Sequence, residues 1–143
     1  IKSDLRTMQN NSLNDSFPLG VAPTSQIYWG LYFPAGKTTY TSFASTLATF
    51  DPSSGGAKIC DGNVLANQTN YKIDISSVQT FSFPPNVKSS STDVCIVFDS
   101  ASGGLKTNKN TFIAITNSTS TECVKVSVDG LIVTGVWNNN TCN

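Results

Sequence analysis

The four cysteines are the residues with most chemistry to offer, and their spacing says what kind. Cys60, Cys95, Cys123 and Cys142 form no CxxC pair, and the sequence holds no histidine to complete a zinc site. Two disulfides formed in an oxidising compartment are the chemistry that remains. Three connectivities are open. Cys60–Cys95 with Cys123–Cys142 is favoured, because the second pair would lock the C-terminal tail onto the last hairpin, a closure typically worth ~2–4 kcal/mol. The absence of histidine also removes Ser-His-Asp and Cys-His nucleophilic sites, and the aspartates stand singly in turn-like contexts. Glycine-rich nucleotide-binding fingerprints are missing as well, so the reading is non-catalytic, with no cofactor.

Two further sets of residues invite a binding role. Phe50-Asp51-Pro52-Ser53-Ser54-Gly55-Gly56-Ala57-Lys58 is echoed by Phe98-Asp99-Ser100-Ala101-Ser102-Gly103-Gly104-Leu105-Lys106. The sharp reading makes Asp51 and Asp99 calcium ligands. The plainer one, which is preferred, makes each an Asp-initiated turn, because calcium takes roughly six to eight oxygens and neither loop supplies enough carboxylates. Tyr28, Trp29, Tyr32, Tyr40 and Trp137 could build a sugar platform or a subunit contact, against the preferred reading of most of them as core and cross-strand residues. Asn-x-Ser/Thr sequons begin at Asn10, Asn14, Asn67, Asn117 and Asn139, a number that a chain rich in Asn, Ser and Thr reaches by chance.

The elements that must position these residues are mostly strands. At 143 residues the chain is long enough for one domain with its own core. Charged residues are 13 %, the formal net charge is +0 and Glu occurs once, at Glu122. Such a surface steers neither nucleic acid nor anionic membrane from a distance. Ile1, Leu5 and Met8, with Leu13 near the same stripe, predict an amphipathic helix ending near Asn14, and Pro18, Gly20 and Pro23 predict a loop after it. Strands are expected at 26–33, 38–43, 46–50, 57–60, 71–75, 78–83, 94–98 and 111–115, with Pro34-Ala35-Gly36 turning the first hairpin and Gly103-Gly104 joining 94–98 to 111–115 as a pair. The last element is a hairpin over 124–136, with Val124, Val126 and Val128 on its apolar face and Asp129-Gly130 at a tight turn.

The order of these pieces resembles a known family. Asp4-Leu5-Arg6-Thr7-Met8, Tyr28-Trp29-Gly30-Leu31-Tyr32-Phe33 leading to Tyr40-Thr41-Ser42-Phe43, Val94-Cys95-Ile96-Val97-Phe98-Asp99 with Gly103-Gly104, and Val124–Ile132 around Asp129-Gly130 are similar, over nearly the whole chain, to the GspH/FimT-type minor pilins and pseudopilins. The resemblance implies an α+β fold of the α/β-roll type, with residues 1–14 as the C-terminal part of the pilin helix and 15–143 as a β-rich head. It implies a structural or initiating subunit of an extracellular type IV pilus or type II secretion pseudopilus. Other pilin subunits would be its partners, as would the inner-membrane assembly machinery, engaged through a cleaved leader and apolar helix that this chain lacks. Gly130 is followed by Leu131 rather than arginine, and the basic C-terminal residues of DNA-capturing members are missing, so no nucleic acid partner is expected. The competing expectation is a cell-surface adhesin or carbohydrate-binding β-sandwich with a glycan ligand, which should have no helix across a sheet.

Overall fold

The computed structural model describes residues 1–14, 28–45, 79–89, 93–106, 110–138 and 141–143. Its elements are α1 (Lys2–Leu13), β1 (Tyr28–Phe33), β2 (Thr39–Ser45), β3 (Gln79–Ser82), β4 (Lys88–Ser89), β5 (Val94–Val97), β6 (Thr111–Thr116), β7 (Thr121–Val126), β8 (Ile132–Asn138) and β9 (Thr141–Cys142). They form two antiparallel sheets, ordered β3-β2-β1-β5 and β4-β6-β7-β8-β9, with α1 against β1 of the first and β8 of the second. The fold is α+β and mostly β, as the sequence led one to expect.

Helix α1 turns its buried side, Leu5, Met8, Gln9 and Ser12, to the sheets. The periodic stripe is the predicted one through Met8, but its last turn differs. Ser12 takes the buried position, and Leu13 is 45 % exposed. Between helix and sheets lies a core in which Leu5, Leu31, Phe33, Phe98, Ile113 and Val126 are fully buried, each contributing ~1.5–3 kcal/mol by leaving water.

β1 is the middle of the first sheet and buries all six residues. Its Trp29, Leu31 and Phe33 join the shared core, and Tyr28 and Tyr32, which point the other way, are also buried. Pro34-Ala35-Gly36 makes the expected connection to β2, closed by the Lys37 amide donating to Pro34 O at 3.3 Å. On the helix side Tyr40 stacks on Phe33 and Phe81 and meets Phe83 at a tilt of 38°, with ring centroids 5.0, 5.2 and 5.1 Å apart. Its hydroxyl donates to Asp4 Oδ2 at 2.5 Å, tying the first turn of α1 to the ring cluster.

Two expected pairings are corrected. β5 and β6 do not pair around Gly103-Gly104. β5 pairs with β1 (Gly30 opposite Val97, Phe33 opposite Val94), and β6 pairs with β4 and β7. Only a single bridge, Phe98 to Leu105, closes the glycine loop before the chain crosses to the second sheet. The last hairpin is built on a longer turn than the sequence suggested. Ser127 O accepts from the Gly130 amide at 2.8 Å and the Ser127 amide donates to Leu131 O at 2.9 Å, leaving a three-residue loop in which Gly130 alone has positive φ, 85°. Val128 therefore sits in the turn, 41 % exposed, and only Val124 and Val126 serve the core. The expected strands at 46–50, 57–60 and 71–75 lie outside the described residues.

Candidate functional site

The two glycine motifs, far apart in sequence, meet at the end of the helix. Gly103 and Gly130 both adopt left-handed backbone, φ 66° and 85°. The backbones touch so closely that a Cβ on Gly104 would lie 2.3 Å from Val128 O, and one on Gly130 2.4 Å from Gly103 O. Leu105 N donates to Val128 O at 2.9 Å, which fixes the crossover loop to the hairpin turn. Two carbonyls at this junction point at the helix, and Gln9 answers both. Its buried Nε2 donates to Gly103 O at 2.7 Å and to Gly130 O at 2.9 Å, while the Ser12 hydroxyl donates to Phe98 O at 3.2 Å. Buried carbonyls left without these donors would each cost ~1–3 kcal/mol.

Asp99 opens the crossover loop, and both of its oxygens work within it. Oδ1 accepts from the Ala101 amide at 2.7 Å and Oδ2 faces Lys106 Nζ at 3.4 Å. The Ala101 hydrogen bond, with Lys106 adding to it, holds this carboxyl below the usual aspartate range. The loop is thus the Asp-initiated turn of the plainer reading, and no group of three metal-ligating side chains comes together among the described residues. Asp51 and its echo segment lie outside them.

Cys123 and Cys142 are bonded, with Cα atoms 5.7 Å apart, as favoured. Cys95 is also disulfide-bonded, and its expected partner Cys60 lies outside the described residues. The tail that Cys142 secures pairs with β8 (Trp137 opposite Cys142) and exchanges two backbone hydrogen bonds between Val136 and Asn143, 2.8 and 3.1 Å.

The sugar platform is not assembled from the residues named for it. Tyr28, Trp29, Tyr32 and Tyr40 are 6, 8, 7 and 5 % exposed. Burial, followed by the Asp4 carboxylate beside it, pushes the Tyr40 phenol well above its ordinary range, so it stays a donor. Trp137 is half-buried and meets Phe112 edge-on, centroids 6.2 Å apart at 64°, with Lys125 Nζ 6.0 Å from the Phe112 ring. Rings at that angle make a corner rather than a flat stacking surface.

No family model, curated protein or solved structure matches this chain. Among the described residues no helix is long and apolar enough to cross a membrane, which leaves β-barrel spanning untouched.

The sequence named the glycines of the junction but missed Gln9 and Ser12. The signal was present. Both fall four and seven residues after Leu5, on the stripe that turns inward, and a polar residue on such a stripe needs a buried partner.

Proposed function

We propose that the chain is the head of a filament subunit of the type IV pilus or type II secretion pseudopilus kind, displayed outside the cell and structural rather than catalytic. The observation that carries this reading is how the helix is held. It lies across both sheets, Leu5 fully buried, and its last turns bond the backbones of Phe98, Gly103 and Gly130. Leu5, in one of the stretches on which the resemblance rests, and Phe98, Gly103 and Gly130, in two more, are thus joined, so helix and glycine motifs form one unit. A head built this way passes force from a helix in a filament core directly into both sheets. Its partners would be neighbouring subunits and, before assembly, the inner-membrane machinery.

The test is the gene upstream of Ile1, followed by shearing of surface filaments and probing for the chain. A prepilin cleavage site followed by an apolar helix running into residues 1–14, and presence in the filament fraction, are expected. An upstream sequence lacking both cleavage site and apolar helix would sink the proposal.

The adhesin reading keeps one observation in its favour, the half-buried Phe112–Trp137 corner with Lys125 over it. A glycan array probed with wild type and Trp137→Ala decides it. Binding lost in the variant would favour a carbohydrate ligand, and a blank array would remove it.

A further inference from the structure

Of the five sequons, two lie wholly within the described residues, and the structure treats them oppositely. Asn10 sits in α1, and the hydroxyl its sequon requires belongs to Ser12, which is 1 % exposed and donates to Phe98 O. That hydroxyl is spent on the core. Asn117 begins the four-residue turn 117–120 between β6 and β7, where Ser118, Thr119 and Ser120 are all exposed. Its Oδ1 accepts from the Thr119 amide (2.9 Å), the Thr119 hydroxyl (3.0 Å), the Ser120 amide (2.7 Å) and the Ser120 hydroxyl (3.2 Å). Two backbone N–H groups can only meet an oxygen, so the side-chain orientation is fixed. The Nδ2 end is the other end of that amide, and no described residue accepts from it.

We infer that Asn117 is an N-glycan acceptor, modified by transfer of a saccharide from a polyprenyl-pyrophosphate donor. In that step Nδ2 attacks the anomeric carbon, the N–C bond forms as the C–O bond to pyrophosphate breaks, and one Nδ2 proton leaves with no change of oxidation state. The hydroxyl demanded at the third sequon position, Thr119 Oγ1, lies against the same amide. The turn closes on the Thr116–Thr121 pair, so an attached glycan would project from the strand ends without entering the core. The inference rests on the extracellular side of the proposed function, since the donor and its transferase work outside the cytoplasm, but not on filament assembly.

The test is peptide mapping by mass spectrometry of the protein purified from the surface of its native cell. A saccharide on the peptide containing Asn117, removed in Asn117→Gln and in Thr119→Ala and retained in Thr119→Ser, is expected. Thr119→Ala leaves the Asn117 bonds to the Thr119 and Ser120 amides in place, so loss of the sugar in that variant separates loss of the sequon from loss of the turn. Unmodified Asn117 in surface protein, or sugar confined to other sequons, would overturn the inference. Either result is independent of the upstream gene sequence that tests the filament reading.

Discussion

The two ends of the chain are secured by opposite means. Helix α1 is held by buried side chains and by Gln9 and Ser12, which bond into a junction of close-packed glycine backbones. The C-terminal tail, whose strand is only Thr141–Cys142, is fixed covalently by Cys123–Cys142. The difference follows from what each end can bury. Leu5 and Met8 give the helix apolar surface to lose, whereas Thr141 and Asn143 are exposed and offer the tail almost none. The helix is built into the core, and the tail without a core contribution is stapled on.

The strongest way to break the helix end is to put a methyl group into the junction. Gly130→Ala combines a left-handed φ of 85° with a Cβ 2.4 Å from Gly103 O and 2.5 Å from Gln9 Nε2. Backbone must move on both sides, so a loss of about 4 kcal/mol in urea unfolding is expected. Gly36→Ala is the control. It shares the left-handed conformation, φ 64°, but nothing lies within 4 Å of its Cβ, so about 1 kcal/mol is expected. Equal losses at the two sites would show that strain alone, rather than the junction, sets the cost.

Breaking the tail end should cost less and act locally. Removing the disulfide in a Cys123→Ala, Cys142→Ala double variant opens a bond spanning 19 residues, for an expected loss of about 3 kcal/mol. Hydrogen exchange should quicken at Val136 and Asn143, whose amides bond each other's carbonyls, while the Leu105 amide at the junction keeps its protection. Loss of protection at Leu105 as well would mean that the two ends are not independent.

What the sequence made legible follows from which interactions are local. The helix, the Pro34-Ala35-Gly36 connection and the last hairpin are written in neighbouring residues, and they appear where expected except that Ser12 replaces Leu13 inside and the hairpin turn is one residue longer. The pairing of β5 with β1 is not local, because it is decided by the Gly103-Gly104 loop committing its backbone to Val128 rather than turning straight back. The two-residue strands β4 and β9 were missed for the same reason, since neither has a periodicity of its own and each exists only through its partner strand. At the site, the glycines were visible but their purpose was not. A Gly-Gly loop reads as a flexible connection until the second backbone that occupies the missing Cβ positions is known.

The smallest expected effect isolates the electrostatic part of the crossover loop. Asp99 is held below the usual aspartate range, first by the Ala101 amide and then by Lys106. A depressed folded-state pKa contributes stability above the unfolded-state value of about 4, and that contribution is lost as pH falls below it. Asp99→Asn keeps an oxygen for the Ala101 amide but carries no charge for Lys106. The variant should therefore be less stable than wild type by roughly 0.5–1 kcal/mol at pH about 6, with the gap narrowing as pH falls below about 4 and Asp99 takes up its proton. Asp4, whose carboxylate accepts from the Tyr40 hydroxyl, titrates equally in both proteins and cancels from the difference. A gap that stays constant with pH would assign Asp99 a purely geometric role in the turn, and would leave the junction held by Gln9 and backbone contact alone.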